Sequence, residues 1–434
     1  MRHPYGKLDV FLEKGKNLYQ RNKKIYSIGT IYLLFIFSNG TQNTYYFQKW
    51  IAGLVQGDFF ALYHVIPHVG SMTTENLTVP YPPFSLYTMG IVAKILIFFG
   101  GQYQSVFLIA SNLTSVIFTF LTTTVLAFWI KGQGNSNVFY YMVTPAVFIV
   151  SPLLGYQDSI MSFFILGALL AYEKEMYLMT GIAASMAIFS KQLAVMPMFG
   201  LGILILLSLN RRMITKTAIG FVSTSTLILY PFISTGTLAG YFHAQGLASV
   251  HTMMSAQNPN FPWLISVIKR ITTHGLFSVQ SYSSSPYQIE NRNLRQIIYL
   301  TFAMLTILII INYVFIWTRK LGALKISSLY VGAVSISAYN LFSFGVHENH
   351  VFMLLPVLFA IIDSQQSKLI YIVVSSALGL NLLSTGGLGM SFSTFPILAQ
   401  HSGFAYSLVG GTCFVAYGWA FFAILRQNPG KKSN

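Results

Sequence analysis

The sequence predicts an all-α polytopic membrane protein, and three observations predict it. Of 434 residues, 54% are hydrophobic and only 8% are charged, whereas a water-soluble domain carries about 25% charged residues. The apolar residues fall in runs separated by short polar breaks, and a bilayer asks for about 20 such residues per spanning helix. The net charge of +16 is spread among the breaks, so it reads as topology and implies no nucleic-acid partner. A soluble enzyme and a disordered chain are thereby excluded. The single cysteine, Cys413, lies in an apolar run, which closes an intramolecular disulfide, a CxxC pair and a cysteine zinc site.

Taken in order, residues 1–24 form a basic lead, too polar for a cleavable signal and expected to be cytoplasmic. Spans are expected near residues 25–40, 105–130, 138–153, 159–173, 176–190, 193–209, 217–234, 297–317, 326–345, 351–363, 369–385 and 403–425, about 12 in all. With the N-terminus inside, nineteen basic residues collect on the cytoplasmic side and seven outside, the asymmetry of the positive-inside rule. The organisation is then a single transmembrane domain, 25–425, followed by a cytoplasmic tail at 426–434. Phe84 to Gly100 is apolar enough for a short crossing, but a crossing there would carry Lys131 outside and Asp158 inside. An outer-face or re-entrant helix is expected instead, between large outer loops at about 41–104 and 235–296. Tyr45 to Val55 mixes aromatics with Gln48 and Lys49, as a helix lying in the membrane interface does. No internal repeat is evident, unlike transporters built from related halves. The sequons at Asn39, Asn76 and Asn112 do not decide the organism.

Ten carboxylates are few enough to place one by one. Asp9, Glu13, Glu173, Glu175 and Asp363 fall in the lead or at cytoplasmic turns, while Asp58, Glu75, Asp158, Glu290 and Glu348 fall on the outer side. An ionisable group beside hydrocarbon is expensive to keep charged, so by default it marks function. Asp58, in QGDFFALYHVIPHVG, is a helix N-cap, a functional carboxylate, or both. In VPYPPFSLYTMG, Pro82 and Pro83 stiffen a helix start and Tyr81 offers an amphipathic ring. Asp158, in SPLLGYQDSIMSFF, opens another helix as a cap or a site group, with Gln157 beside it. Lys191 interrupts an apolar stretch from Met176 to Ser208 and needs an anion or an aqueous pocket, unless it snorkels to the interface. SFGVHENHVFMLLP places His347, Glu348 and His350 together at an outer helix junction, and the two histidines, three apart, would share a face if the segment were helical. With Asp58 these are suitable metal-ligand types, but HExxH is absent, and phosphate contact by the histidines is the stronger reading.

In chain order the sequence carries GD (Gly57, Asp58), YPP (Tyr81 to Pro83), GYQDS (Gly155 to Ser159), SKQ before a proline-interrupted helix (Ser190 to Pro197), SAQNPNFPW (Ser255 to Trp263) and HENH (His347 to His350). This series resembles the GT-C superfamily of integral-membrane glycosyltransferases that use polyprenyl-phosphate sugars. It is most similar to bacterial and archaeal mannosyltransferase-like members and to the endoplasmic-reticulum dolichyl-phosphate-glucose glucosyltransferases, over about residues 45 to 355. The resemblance implies a GT-C fold, with Asp58 as catalytic base and the YPP helix in the first outer loop. It also implies donor phosphate held by basic residues, here Lys191 with His347 or His350. Tyr81, Gln157, Asp158 and Glu348 are the candidate substrate-binding residues. Two departures stand out: Pro80 where the reticulum enzymes carry an acidic residue, and HENH where they carry HEK-like motifs.

The chemistry agrees. Glycoside hydrolysis needs a second carboxyl to protonate a poor leaving group, but a lipid phosphate departs as a stable anion, so one base suffices. The expected activity is inverting transfer of a hexose from a polyprenyl-phosphate carrier to a hydroxyl of a lipid-linked or cell-surface glycan, at the outer or luminal face of a prokaryotic plasma membrane or the endoplasmic reticulum. The expected partners are the donor, the glycan acceptor and membrane lipid. No cofactor is required, with a divalent metal as the lesser alternative. A flippase or transporter would place polar residues mid-span, and a noncatalytic assembly subunit would not need Asp58.

Overall fold

The computed structural model describes residues 27–38, 42–57, 63, 79, 81–130, 138–247, 254–255, 257–276, 278, 287–362, 364–384 and 403–430. They are helical almost throughout, with two isolated β-bridges. The helices are α1 (Ser27–Phe37), α2 (Gln42–Gln56), α3 (Pro83–Phe98), α4 (Tyr103–Trp129), α5 (Val138–Met142), α6 (Pro145–Phe148), α7 (Asp158–Glu173), α8 (Tyr177–Ser190), α9 (Val195–Leu207) and α10 (Arg211–Ser234). There follow α11 (Leu238–Leu247), α12 (Phe261–His274), α13 (Arg292–Leu321), α14 (Ser328–Phe342), α15 (Leu354–Ala360), α16 (Gln365–Ser384) and α17 (Gly403–Arg426). Five described helices, at 105–129, 211–234, 292–321, 365–384 and 407–426, are long and apolar enough to cross a bilayer. The chain is an integral membrane protein on that evidence.

Local chemistry accounts for the element boundaries. Pro82 and Pro83 open α3, where a missing backbone N–H costs nothing. Asn210, Asn260 and Asn291 cap α10, α12 and α13, each side chain accepting from the backbone N–H three residues on. Along α4, where water is scarce, Thr114, Thr119, Thr122, Thr123 and Thr124 return their hydroxyls to the carbonyl four residues back. The expected span at 138–153 is broken after Met142, resumes at Pro145 and passes into a π-helical turn at Ile149–Leu153 that contains Pro152.

Two ends of the bundle can be told apart by their cross-links. At one end Lys174 lies over the Trp129 ring, the Trp129 indole donates to the Ala360 carbonyl, and Glu173 accepts from the hydroxyls of Ser327 and Ser328. The Ser327 N–H donates to the Pro429 carbonyl at this same end. At the other end gather Asp158, Ser190, Lys191, Asn340, Asn349 and Asn381. The short helices α7, α8, α9, α14 and α15 start or stop near this second cluster, and α16 ends there with Asn381. α14 is central, with Ser328 to Leu341 all buried.

The segment at 84–100 leaves the second cluster and returns to it. Ser85 donates to the Ser190 carbonyl, α3 turns through Gly100 and Gly101, and α4 comes back to donate from Ser111 to Gly155 and from Ser115 to Tyr156. Asn112, one of the sequon asparagines, is fully buried in α4 and donates to the carbonyls of Ile36 and Ser38.

Candidate active site

The site is built on the end of the bundle where five chain segments meet. Gly155, at φ +60°, ends the turn after the π-helix, and a Cβ there would collide with the Asn112 amide. Only glycine lets the chain pass α4 this closely and still enter α7 at Asp158. The second segment is the α8–α9 junction, where Lys191 is extended between two helices. Its ammonium donates to both oxygens of Asp158, at 3.0 and 3.1 Å, and both side chains are buried. The Asn349 amide donates to the same carboxylate at 2.8 Å. Asp158 is therefore no helix cap: it sits in the first turn of α7 and spends its oxygens on two other segments.

The HENH segment forms a turn at the junction after α14, so its two histidines meet across a bend and not along a helix. Gly345, at φ +70°, sharpens the bend, and Gln257 forms an antiparallel bridge with His347. The SAQNPNFPW segment holds it from outside. Ser255 donates to the carbonyls of Asn258 and Val346, Asn258 to that of Asn340, and Asn260 to that of Ser343. The His347 N–H donates to Nδ1 of His350 at 3.1 Å, and the two rings lie 5.2 Å apart. That bond gives His350 Nδ1 an acceptor's work and makes Nε2 the protonated nitrogen of its neutral ring. His350 is 5% exposed, whereas the His347 side chain is 34% exposed. The two histidines thus differ in role: one closes the turn and the other faces outward.

Glu348 lies between these groups, with an oxygen 3.9 Å from His347 Nδ1. Burial pushes its carboxyl from the ordinary 4.5 up to about 7; its own backbone N–H and Lys191 oppose the rise, and Asp158 adds to it. Tyr81 completes the cluster. Desolvation raises its phenol, while Lys191 lowers it and Asp158 and Glu348 raise it. The Tyr81 backbone carbonyl accepts from the Tyr63 hydroxyl at 3.0 Å, and its ring packs edge-on to Trp50 at 5.7 Å and beside Phe47 at 5.9 Å. The aromatics of α2 therefore seat the YPP turn. Gln157 is 1% exposed, and neither atom of its amide has a partner among the described residues. A buried amide left so is costly unless something answers it.

Seven of the expected site residues thus come together: Tyr81, Gln157, Asp158, Lys191, His347, Glu348 and His350. Asp58 lies outside the described residues. Of the anion, the aqueous pocket and the interface between which the sequence left Lys191, the structure supplies an anion, Asp158. Sequence reasoning passed over Asn349, Ser85 and the asparagines of the 255–263 segment. Asn349 had a signal, since it stands in HENH where HEK-like motifs carry lysine. Among the described residues, no three His, Cys, Asp or Glu side chains group as a metal ion would need.

No protein-family model matches the chain, and no curated protein matches it. Among solved structures it is similar to ArnT from Cupriavidus metallidurans in the apo state, with a TM-score of 0.46 and 11% identity, covering 95% of this chain and 78% of that one. It is likewise similar to ArnT from Cupriavidus metallidurans bound to undecaprenyl phosphate, with a TM-score of 0.45 and 10% identity over 93% of this chain and 77% of that one.

Proposed function

We propose that the protein is an inverting glycosyltransferase of the GT-C type, moving a hexose from a polyprenyl-phosphate carrier to a hydroxyl of a lipid-linked or cell-surface glycan. One observation carries the reading: five polar segments, far apart in sequence, converge on a buried Lys–Asp pair at one end of an otherwise apolar bundle. Polar groups sunk in a membrane protein are expensive and mark a site of action. The order of their motifs is that of the GT-C series.

In this reading Asp58 takes the proton of the acceptor hydroxyl as its oxygen attacks the anomeric carbon. The bond from that carbon to the phosphate oxygen breaks, and polyprenyl phosphate leaves with the electron pair, inverting the centre. Lys191, held against Asp158, presents the phosphate with the positive end of an oriented ion pair, and outward-facing His347 supplies a hydrogen-bond donor beside it. His350 acts through His347 by fixing the turn. Gln157 and Tyr81 offer an amide and a phenol to the sugar, and no cofactor takes part. The site faces the outer or luminal side, opposite the basic loops, so both termini are cytoplasmic.

The test is transfer by purified protein from short-chain polyprenyl-phosphate glucose, mannose or another hexose. Asp58→Asn is expected to lower turnover by about 10²–10⁴-fold, the scale of a general base. Turnover equal to wild type would remove the proposed base.

A further inference from the structure

Lys191 cannot serve as an uncommitted cation, because Asp158 meets its charge with two close oxygens and Asn349 holds that carboxylate in place. The pair is neutral as a unit. An ionised Glu348 would then leave the described part of the site with a surplus negative charge wherever His347 is neutral. A donor phosphodiester carries a permanent negative charge, and placing it beside a shielded carboxylate is strongly unfavourable where little water screens the two. The same carboxyl in its neutral form is an O–H donor, as useful to an anionic oxygen as an amide N–H.

Geometry puts Glu348 in position for that contact. Its side chain is 17% exposed and lies next to outward-facing His347. The titratable groups around it come from three directions: Lys191 and Asp158, which act on its carboxyl, from the helix junctions; Tyr81, whose phenol feels Glu348, from the YPP turn; and His347 from its own turn, backed by His350. We propose that Glu348 receives the donor as a neutral acid, its carboxyl O–H donating to a charged oxygen of the lipid phosphodiester, so that donor binding takes up one proton. This rests on the polyprenyl-phosphate reading above and adds to it a phosphate-binding residue of opposite kind to the expected cations. Burial already holds the carboxyl proton to near neutral pH, and an adjacent anion holds it further.

The experiment measures binding of a short-chain prenyl methyl phosphodiester to the purified full-length protein. This probe has no ionisation near neutral pH, so any pH dependence belongs to the protein. Affinity is expected to be level at about pH 6 and to fall by up to about tenfold per unit above pH 7. Titration calorimetry at about pH 8 in two buffers of different ionisation heat is expected to show net uptake approaching one proton. Glu348→Gln, which keeps a donor and loses the titration, is expected to bind with a level profile across that range. The same slope in Glu348→Gln would assign the proton to another group, His347 first, and overturn the proposal. A level profile in the wild type would overturn it also, as would an equal slope for the uncharged prenyl alcohol. Failure of the diester to bind at any pH would remove the donor class itself, whereas tight binding with a level profile would remove only Glu348.

Discussion

Lys191 and Asp158 show how much of this site depends on single side chains. Two buried charges persist because each answers the other, and removing one leaves an uncompensated ion at a cost of about 3–5 kcal/mol. Lys191→Ala is therefore expected to destabilise the protein on that scale in detergent unfolding. Lys191→Met combined with Asp158→Asn, which keeps an acceptor for Asn349, should recover most of the loss; additive losses would show that the pair is not coupled. Glu348 adds a pH dependence of its own. Its carboxyl ionises near 4.5 when unfolded and about 7 when folded, so between those values the folded protein keeps a proton that the unfolded chain has lost. Its contribution is full below the lower value and is lost as pH rises through the upper one. Thermal unfolding of Glu348→Gln at alkaline pH is expected at a higher temperature than wild type, with the difference shrinking toward acid. At this scale the sequence revealed which residue types were out of place in lipid, because apolar surroundings make any charge conspicuous. It did not reveal that Lys191 and Asp158, thirty-three positions apart, neutralise each other.

Helices here meet through small residues. A Cβ on Gly181 would strike the Thr217 carbonyl and one on Gly220 the Leu178 carbonyl, while Ser185 and Ser225 share a hydrogen bond at 3.0 Å across the same α8–α10 seam. In lipid there is no hydrophobic gain from pressing helices together, so such close backbone approach carries the association. Gly181→Leu is expected to pry α8 from α10 and cost about 1–3 kcal/mol or more, seen as a lower unfolding temperature, whereas a leucine at Gly202, which has open space around it, should be tolerated. Gly155→Ala combines a left-handed backbone with a collision at Asn112, and its effect should reach transfer activity because α7 and Asp158 follow directly. Loss of stability without any change in donor binding would count against that link. Helix positions were legible from apolar run length to within a few residues. The broken span at 138–153 and the extended ends of α13 were less so, because hydropathy does not register a proline-induced π-turn or an asparagine cap.

The thirty residues of α13 run from one face at Arg292 to the other at Leu321. The Pro429 carbonyl is bonded to Ser327 at the second of these. Cysteines introduced at Arg292 and at Asn428 are expected to react with an impermeant maleimide from opposite sides of the membrane, and one at Glu175 from the same side as Asn428. The native Cys413 is fully buried and should give little background. Labelling of positions 292 and 428 from one side would overturn the topology and the outward-facing site with it.

Composition and apolar spacing by themselves determined that this chain is a bundle of membrane helices, since a bilayer leaves the backbone no other way to satisfy its hydrogen bonds across so many apolar runs. They also nominated the residues of the site, because charge is rare in such a chain and each instance stands out. Only the tertiary structure decided what those residues do to one another. Pairing, turn closure and the shift in a buried carboxyl depend on distances of a few ångströms between side chains that lie from 3 to 191 positions apart in the chain, and linear order carries no record of them.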